Sequence, residues 1–276
     1  MDKLIFGTAG IPISTPERTT VGGMERLKEL KLECMEMEFV RSIFLTEDSV
    51  KAVKDAAKKH EIVLTSHAPY YINLNAREKA KEDASKMRIY QTAKIAHLAG
   101  AYSICFHPGF YLNQDPVKVY HNILDNLKQV VDRLSDEGID IWVRPETMGK
   151  PKSFGTLKEI LKLSSELKNV MPCIDFAHLH AVTNGKQNTL EEFKAILSEV
   201  EAVLGREGLD NMHMHVSGIE YSEKGEKNHL TLDDSDFNYK DLCKAWKEFK
   251  VKGVVISESP SIEDDAMILK KSYEKI

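Results

Sequence analysis

Histidine and carboxylate side chains recur at one kind of position in this chain of 276 residues. Each lies at or just after the end of a short apolar run, as in the segments TSHAPYY, CFHPG, RPETMG, CIDFAHLHA, MHMHVSG and ISESP. The side chains are His67, His107, Glu146, Asp175, His178, His180, His213, His215 and Glu258, and His229 follows in a later loop. Imidazole and carboxylate ligands suit zinc, manganese or iron, and zinc is the usual ion of a His-rich catalytic site. One such histidine would indicate a structural hydrogen bond, but six successive segments predict a metal centre.

The charges of these groups indicate what such a centre would bind. Neighbouring divalent ions can polarise one phosphate group and lower the pKa of a water molecule between them. The carboxylates of Glu146, Asp175 and Glu258 would leave two or three such ions with a net positive charge. The pattern therefore favours an anionic phosphate substrate.

Short apolar runs alternate along the chain with longer amphipathic patterns, which are typical of strands and helices respectively. The predicted strands are 3–8, 33–39, 62–66, 102–106, 139–144, 170–174, 211–216 and 253–257. The predicted helices are 47–59, 76–99, 116–136, 157–168, 190–204, 240–250 and 262–273, with a weaker pattern at 20–30. Eight alternations without a linker predict a single-domain α/β protein, a (β/α)8 TIM barrel over residues 1–276. An open doubly wound sheet is less favoured, because no glycine-rich phosphate loop follows the first strand.

Local signals mark the ends of several predicted helices. Thr156 with Glu159, and Thr189 with Glu192, have the T-x-x-E spacing of a capping box. The glycines expected to end helices are Gly100, Gly138 and Gly208. Because barrel enzymes carry their active sites at the carboxyl ends of the strands, the candidate ligands are expected to meet at one rim. The remaining histidines, His60, His97 and His121, fall in helical patterns and are expected to be surface or packing residues.

The composition sets limits on partners and location. A net charge of −5 argues against a strongly basic nucleic-acid binder, although bound metal ions would add positive charge that this count omits. The four cysteines form no CxxC motif, and Cys105 and Cys173 lie in apolar runs, so buried free thiols in a reducing cytosol are expected. The chain shows no signal-peptide pattern and no apolar run long enough for a membrane span, so we expect a cytoplasmic protein without a membrane partner.

Taken together, the segments resemble endonuclease IV, the zinc-dependent apurinic/apyrimidinic endonucleases of the xylose-isomerase-like barrels. The matching segments, in the order of the family, are HAPYYINL at 67–74, FHPG at 106–109, PETMG at 145–149, CIDFAHLHA at 173–181, MHVS at 214–217 and SESP at 257–260. Each is a weak signal alone, whereas the ordered set is specific. The resemblance implies an enzyme that hydrolyses the phosphodiester 5′ to an abasic site in damaged double-stranded DNA.

The resemblance also implies ligands for two or three Zn2+ ions, with Mn2+ as the alternative metal. The implied sets are His67, His107 and Glu146 for the first ion; Glu146, Asp175, His215 and Glu258 for the second; and His178 and His229 for the third. Glu146 and Glu258 are also the carboxylates to which it assigns catalysis. His213, deeper in the barrel than His215, is expected to be structural, as is His180.

Three further residues are matched to the DNA-binding loops of the family. Tyr70 corresponds to the aromatic residue of the loop that inserts into DNA, and Arg41 is matched to its arginine. Tyr71 stands where the family usually has an aliphatic residue. An aromatic wedge can hold a duplex open at a missing base, although the two tyrosines could instead simply cover the barrel mouth.

The chain departs from the family at the third ion, where Lys227-Asn228-His229 replaces an Asp-x-His pair. A protonated lysine cannot coordinate a metal ion. Glu226 is adjacent, but successive side chains of an extended segment point to opposite sides, so it would need a changed backbone path. The third ion is therefore expected to be weakly bound or absent, or to use water, Asp233 or Asp234, and Lys227→Asp is expected to raise its occupancy.

The alternative function is that of a sugar or sugar-phosphate isomerase or epimerase, because the same superfold hosts those enzymes with one or two metal ions. A non-catalytic binding module is less favoured, since it needs no such set of convergent acid–base groups. A basic groove, formed by Lys150, Lys152, Lys224 and Lys227 beside an exposed Tyr70, would favour DNA. A narrow pocket beside a single ion would favour a sugar. The protein is expected to be a monomer.

Overall fold

The computed structural model describes residues 1–276, apart from the side chains of residues 47 and 48. The strands, numbered along the chain, are β1 (Leu4–Ala9), β2 (Cys34–Glu38), β3 (Val63–His67), β4 (Ser103–Phe106), β5 (Gly109–Phe110), β6 (Trp142–Pro145), β7 (Ser153–Phe154), β8 (Cys173–Asp175), β9 (Met212–Val216), β10 (Gly218–Ser222), β11 (Gly225–Leu230) and β12 (Gly253–Ser257). Eight of them form a parallel sheet in the order β6-β4-β3-β2-β1-β12-β9-β8. Parallel bridges from Val143 to Val170 and from Glu146 to Cys173 join the two ends of this order. The predicted TIM barrel is therefore confirmed.

Helices follow the barrel strands along the chain. They are α1 (Thr20–Glu29), α2 (Glu47–His60), α3 (Lys79–Leu98), α4 (Pro116–Asp136), α5 (Leu157–Glu166), α6 (Phe176–Val182), α7 (Leu190–Asp210), α8 (Tyr239–Glu248) and α9 (Glu263–Glu274). Both predicted capping boxes are present, at the first residues of α5 and α7. Within the described part of the chain, none of the helices has the length and apolar character needed to cross a membrane.

The glycines after the helices agree with the sequence except at one position. Gly100 and Gly138 have φ values of 75° and 69°, the left-handed conformation expected after a helix end. The expectation that Gly208 ends a helix is wrong: α7 breaks at Gly205, which has φ 66° and ψ −166°, and a second helical segment continues through Gly208 to Asp210. A Cβ atom at Gly208 would lie 2.8 Å from the Cβ of Leu204, so the glycine there permits close packing.

Two barrel strands begin later than the sequence predicts. β6 begins at Trp142 rather than at residue 139, and β8 begins at Cys173 rather than at residue 170. Ile139 is buried, so its apolar character reflects packing. Val170 is also buried and forms an isolated parallel bridge with Val143 ahead of β8. Pro172 has no N–H to donate, which is consistent with the late start of β8. The short helix α6 and the two-stranded pairs β5–β7 and β10–β11 were not predicted.

Alternation along β2 separates the apolar core from the inside of the barrel. Met35 and Met37 belong to the large apolar cluster between the strands and the helices. Because successive side chains of a strand point to opposite faces, Glu36 and Glu38 face the barrel interior. The core thus lies outside the strands, while the upper interior of the barrel is lined by polar groups.

Candidate metal centre

Glu146, which follows β6, lies at the centre of the candidate ligands and is fully buried. Its Oε2 atom is 3.3 Å from Nε2 of His67 and 3.4 Å from Nε2 of His107. Its Oε1 atom is 3.2 Å from Nδ1 of His178 and 3.4 Å from Nδ1 of His215. The two oxygens of one carboxylate therefore face two different pairs of imidazoles, as those of a bridging ligand would.

A four-residue group around Glu146 has the donor set of a metal site. Glu146, Asp175, His215 and Glu258 each offer one ligand atom, and these atoms lie within 4.8 Å of one another. Among the described residues, no hydrogen-bond partner reaches three of the buried atoms there, Glu146 Oε1, Asp175 Oδ2 and His215 Nδ1. A buried acceptor without a donor costs about 1–3 kcal/mol. One divalent cation would satisfy all three, so these residues fit a metal ion.

Hydrogen bonds from Nδ1 to backbone carbonyls fix the tautomer of three of these histidines. They run from Nδ1 of His67, His178 and His229 to the carbonyl oxygens of residues 68, 147 and 258, at 2.7, 3.0 and 3.1 Å. A carbonyl oxygen can only accept, so the proton lies on Nδ1 and the neutral ring presents a lone pair at Nε2. Ligating histidines are commonly held by such partners, as His67 and His229 are here. Nδ1 of His178 differs, because it also faces Oε1 of Glu146.

The pKa values of these groups reflect burial and the close approach of carboxylates and imidazoles. Burial lowers the pKa of His67, but Glu146 and Glu38 outweigh it and raise this pKa to about 10. Burial and the neighbouring charge of Glu36 raise the pKa of Glu38 to about 8. Burial also raises the pKa of Asp175. A potential that stabilises a proton on imidazole also attracts a divalent cation.

The candidate ligands of the third ion form a separate group beside Glu146. The rings of His178 and His229 have centroids 5.9 Å apart. Together with Asp175, these histidines offer three ligand atoms within 4.8 Å of one another. The two aspartates considered as substitutes lie elsewhere, since Asp234 accepts a hydrogen bond from Thr231 at 2.7 Å and Asp233 is exposed.

The residues before His229 differ from expectation in the direction of their side chains. The expectation that Glu226 is turned away from the centre is wrong, because its Oε2 lies 3.4 Å from Nε2 of His178. Lys227 points to the other side of the strand, with Nζ 3.0 Å from Oε1 of Glu220. The register of β10 and β11 shifts at this point, which supplies the changed backbone path.

Glu36 was not identified from the sequence, although it contacts a candidate ligand. Its carboxylate lies 2.8 Å from Nε2 of His215, 3.0 Å from Nε2 of His213 and 2.8 Å from the hydroxyl of Thr65, which donates to it. The other ring nitrogen of His215, Nδ1, lies 3.4 Å from Oε1 of Glu146, so the ring stands between the two carboxylates. Glutamate is almost never fully buried without a partner. The two glutamates in the apolar segment CMEME could therefore have indicated a buried glutamate paired with another polar group.

His213 offers a ligand atom in a further buried group with Cys105, Cys173 and His215, so its structural role stays a prediction. His180 belongs to none of the candidate ligand groups among the described residues. Nδ1 of His213 is 2.9 Å from the hydroxyl of Ser103, deep in the barrel. Nε2 of His180 is 3.0 Å from the carboxylate of Asp236, and its Nδ1 is 2.9 Å from the carbonyl oxygen of residue 186. His60, His97 and His121 lie in α2, α3 and α4.

Tyr70 and Tyr71 lie at the barrel mouth, in the loop after β3, and are 50% and 64% exposed. The ring of Tyr70 stacks on His107 with centroids 5.6 Å apart and planes at 18°. It also lies edge-on to His67 at 5.4 Å. Tyr70 therefore covers two candidate ligands while half of its surface faces solvent.

The basic side chains near the mouth are interrupted by acidic ones. Arg41 is exposed, and its loop is joined to that of Tyr70 by a bond from the Tyr70 N–H to the carbonyl of residue 40, at 3.2 Å. Lys150 lies 3.8 Å from Glu226, and Lys227 pairs with Glu220. Lys152 and Lys224 are exposed. Among the described residues, the mouth thus has mixed charge and not the continuous basic groove that would have favoured DNA.

The chain belongs to the family described as xylose isomerase-like TIM barrels, whose model matches residues 24–275. An uncharacterized protein of Methanocaldococcus jannaschii is 44% identical over 273 residues, which are 99% of this chain and 98% of that protein. A probable endonuclease 4 of Mycoplasma pneumoniae is 25% identical over 201 residues, which are 71% of this chain and 67% of that protein.

Two solved structures share the fold to nearly the same degree. A D-tagatose 3-epimerase-like protein has a TM-score of 0.74 at 18% identity, and the match covers 98% of this chain and 96% of that one. Endonuclease IV from Thermus thermophilus has a TM-score of 0.73 at 18% identity, and the match covers 98% of this chain and 100% of that one. Similar scores for two different activities mean that the fold does not choose between them.

Proposed function

We propose that the protein is a metal-dependent apurinic/apyrimidinic endonuclease, which hydrolyses the phosphodiester 5′ to abasic sites in DNA. The number of candidate ligands around Glu146 is the observation that carries this proposal. Four ligands complete a site for one zinc ion, and Glu146, Asp175, His215 and Glu258 already supply four. His67, His107, His178 and His229 are additional, so two or three Zn2+ or Mn2+ ions would bind.

Several bound ions suit a phosphodiester better than they suit a sugar. Neighbouring divalent ions would polarise the scissile phosphate and lower the pKa of a water molecule at the site. Glu146 would hold the two groups of imidazoles at a fixed separation, and Glu258 would complete the set that includes His215. The exposed face of Tyr70 offers a stacking surface for an unpaired base, and Arg41 is close enough to the same loop to contact the DNA backbone.

The second candidate function is that of a sugar or sugar-phosphate isomerase or epimerase. One observation favours it: Glu146, Asp175, His215 and Glu258 alone complete a site for a single ion. On this alternative, the additional histidines would be structural and Tyr70 would close a pocket over a small substrate.

Cleavage of a duplex oligonucleotide with one abasic-site analogue tests the proposal. The metal-loaded protein is expected to cut 5′ to the analogue, to lose this activity with a chelator, and to leave the intact duplex uncut. Glu146→Gln is nearly isosteric and should keep the fold. It should lower the rate by more than the roughly 10–100-fold that follows loss of a group behind the ligands. A fully loaded protein that leaves the abasic duplex intact but epimerises a ketose would overturn the proposal.

A further inference from the structure

An extra residue in β11 changes which side chains of the hairpin β10–β11 face the metal centre. Glu220 pairs with Asn228 and the next residue, Tyr221, pairs with Glu226, so Lys227 is unpaired and forms a β-bulge. Lys227 and Asn228 both contact the carboxylate of Glu220, at 3.0 and 3.2 Å, and so lie on one side of the strand. Glu226 lies on the other side, with His229.

The backbone around Gly149 holds Glu226 in this position. The N–H of Glu226 donates to the carbonyl of Gly149 at 2.9 Å. A Cβ atom at Gly149 would lie 2.8 Å from Oε2 of Glu226 and 2.8 Å from Cδ2 of His178. The missing side chain of Gly149 therefore leaves the space in which this carboxylate and this imidazole meet.

The contact between Glu226 and His178 joins two acceptors. Nδ1 of His178 is the nitrogen that donates to the carbonyl of residue 147, so the neutral ring presents a lone pair at Nε2. A carboxylate oxygen of Glu226 faces that lone pair at 3.4 Å. Two acceptors at this distance are stable only with a cation or a proton between them.

From these contacts we infer that Glu226 supplies the carboxylate ligand of the third divalent ion, together with His178 and His229, in place of residue 227. This inference rests on the metal centre of the proposed function. It replaces the expectation of a weak third site, because the bulge brings the neighbouring carboxylate to the centre. Lys227→Asp should then bring no gain in metal binding, since the side chain at 227 points away.

Metal stoichiometry and affinity test the inference without any measurement of activity. The wild type, Glu226→Gln, Lys227→Asp and the matched control Glu220→Gln are stripped of metal and titrated with zinc against a competing chelator. The control alters a glutamate of the same hairpin on the opposite side. The wild type, the control and Lys227→Asp should each bind three ions, while Glu226→Gln should bind two tightly and the third about tenfold or more weakly.

Circular dichroism of all four proteins verifies that the hairpin substitutions leave the fold intact. Either a wild type that binds only two ions or a Glu226→Gln protein that binds the third as tightly as the wild type overturns the inference. The DNA-cleavage test is independent of these results. Loss of one ion in Glu226→Gln without any cleavage of abasic DNA would support the ligand and remove the proposed activity.

Discussion

The contact between Glu36 and His215 connects the barrel interior to the metal centre. The carboxylate of Glu36 lies 2.8 Å from Nε2 of His215 and 3.0 Å from Nε2 of His213, so it is within ion-pair distance of two rings at once. Ser103 adds a hydroxyl group at Nδ1 of His213. We expect this buried network to hold His215 in the tautomer that presents the lone pair of Nδ1 to the ligand group.

Glu36→Gln should lower zinc affinity by about 10–100-fold, the usual effect of losing a partner behind a ligand. A glutamine amide offers one accepting oxygen to two N–H donors, so one ring must lose its bond or change its tautomer. Zinc competition with the metal-stripped protein measures the affinity, and 15N spectra of the histidine rings report the tautomer of His215. Ser103→Ala is the control, because it alters the same network without contact to His215. Unchanged affinity and an unchanged tautomer in Glu36→Gln would refute the role of Glu36.

Tyr70 gives a prediction for the DNA substrate. Tyr70→Ala should weaken binding to an abasic duplex by about 1–3 kcal/mol, the scale of base–aromatic stacking, with metal content unchanged. Tyr70→Phe keeps the ring and should bind like the wild type, and Tyr71→Ala tests the more exposed neighbour. Fluorescence anisotropy with a labelled duplex measures the affinity. Equal binding by Tyr70→Ala and the wild type would indicate that this ring only covers the mouth.

Residues near strand ends could be predicted from the sequence, whereas Glu36, in the middle of β2, could not. Candidates such as His67 and Glu146 follow strands in chain order, and barrel geometry brings all strand ends to one rim. Glu36 lies in the middle of a strand and meets His215 only after the intervening barrel strands have been placed. The ligand role of these residues stays a prediction until metal binding is measured.

At the scale of elements, the repeating strands and helices were predictable because periodicity and capping residues mark them. The hairpin β10–β11 was not, since its residues are mostly polar and carry no apolar alternation. Its bulge depends on which residues pair across the two strands. The sequence of one strand does not reveal this pairing. The sequence-based expectation therefore placed Glu226 on the wrong side of the strand.

Arg144 joins several barrel strands near their amino ends. The side chain, on β6, is fully buried. It donates to the carbonyl of Pro172 at 2.9 Å and to that of Asn211 at 2.7 Å, the residues that precede β8 and β9. A further bond of 3.2 Å reaches the hydroxyl of Tyr102, which precedes β4.

Arg144→Met should lower the free energy of unfolding by about 2–4 kcal/mol, because it leaves buried carbonyls without donors at about 1–3 kcal/mol each. Relief of the burial cost of the guanidinium offsets part of this loss. Urea unfolding followed by circular dichroism measures the change. Arg41→Met is the control, since Arg41 is exposed and its loss should change stability by less than about 0.5 kcal/mol. If Arg144→Met unfolded at the same urea concentration as the wild type, these hydrogen bonds would contribute little to stability.

At the scale of the whole molecule, the barrel brings acidic groups from several strands into one buried space. Among them are Glu36, Glu146 and Asp175, all with no exposed surface. Their mutual repulsion opposes closure of the barrel unless protons or cations accompany them. Folding and cation binding are therefore expected to be coupled.

Removal of metal should accordingly destabilise the protein. At least two ions per chain are expected by elemental analysis, and each contributes about 2.7 kcal/mol when its free concentration is 100-fold above its Kd. A chelator should lower the melting temperature, and added zinc should restore it. Glu146→Gln should respond less to both, since it loses the bridging carboxylate. Less than one equivalent of metal after reconstitution with zinc or manganese would contradict the metal centre as a whole.

The unpaired residue of β11 affects how homologous chains can be compared. An alignment matches residues column by column, and a ligand is transferred when the matched column holds a suitable side chain. Within a strand, that procedure assumes that inward-facing and outward-facing side chains alternate in the same order in both chains. A one-residue bulge exchanges inward-facing and outward-facing positions in the part of the strand that precedes it. The resemblance matches Lys227 to the aspartate of the family's Asp-x-His pair, while in this chain the carboxylate that contacts His178 belongs to the column before it. Homologues with a lysine in that column should be judged by the residue one column earlier before their third ion is discounted.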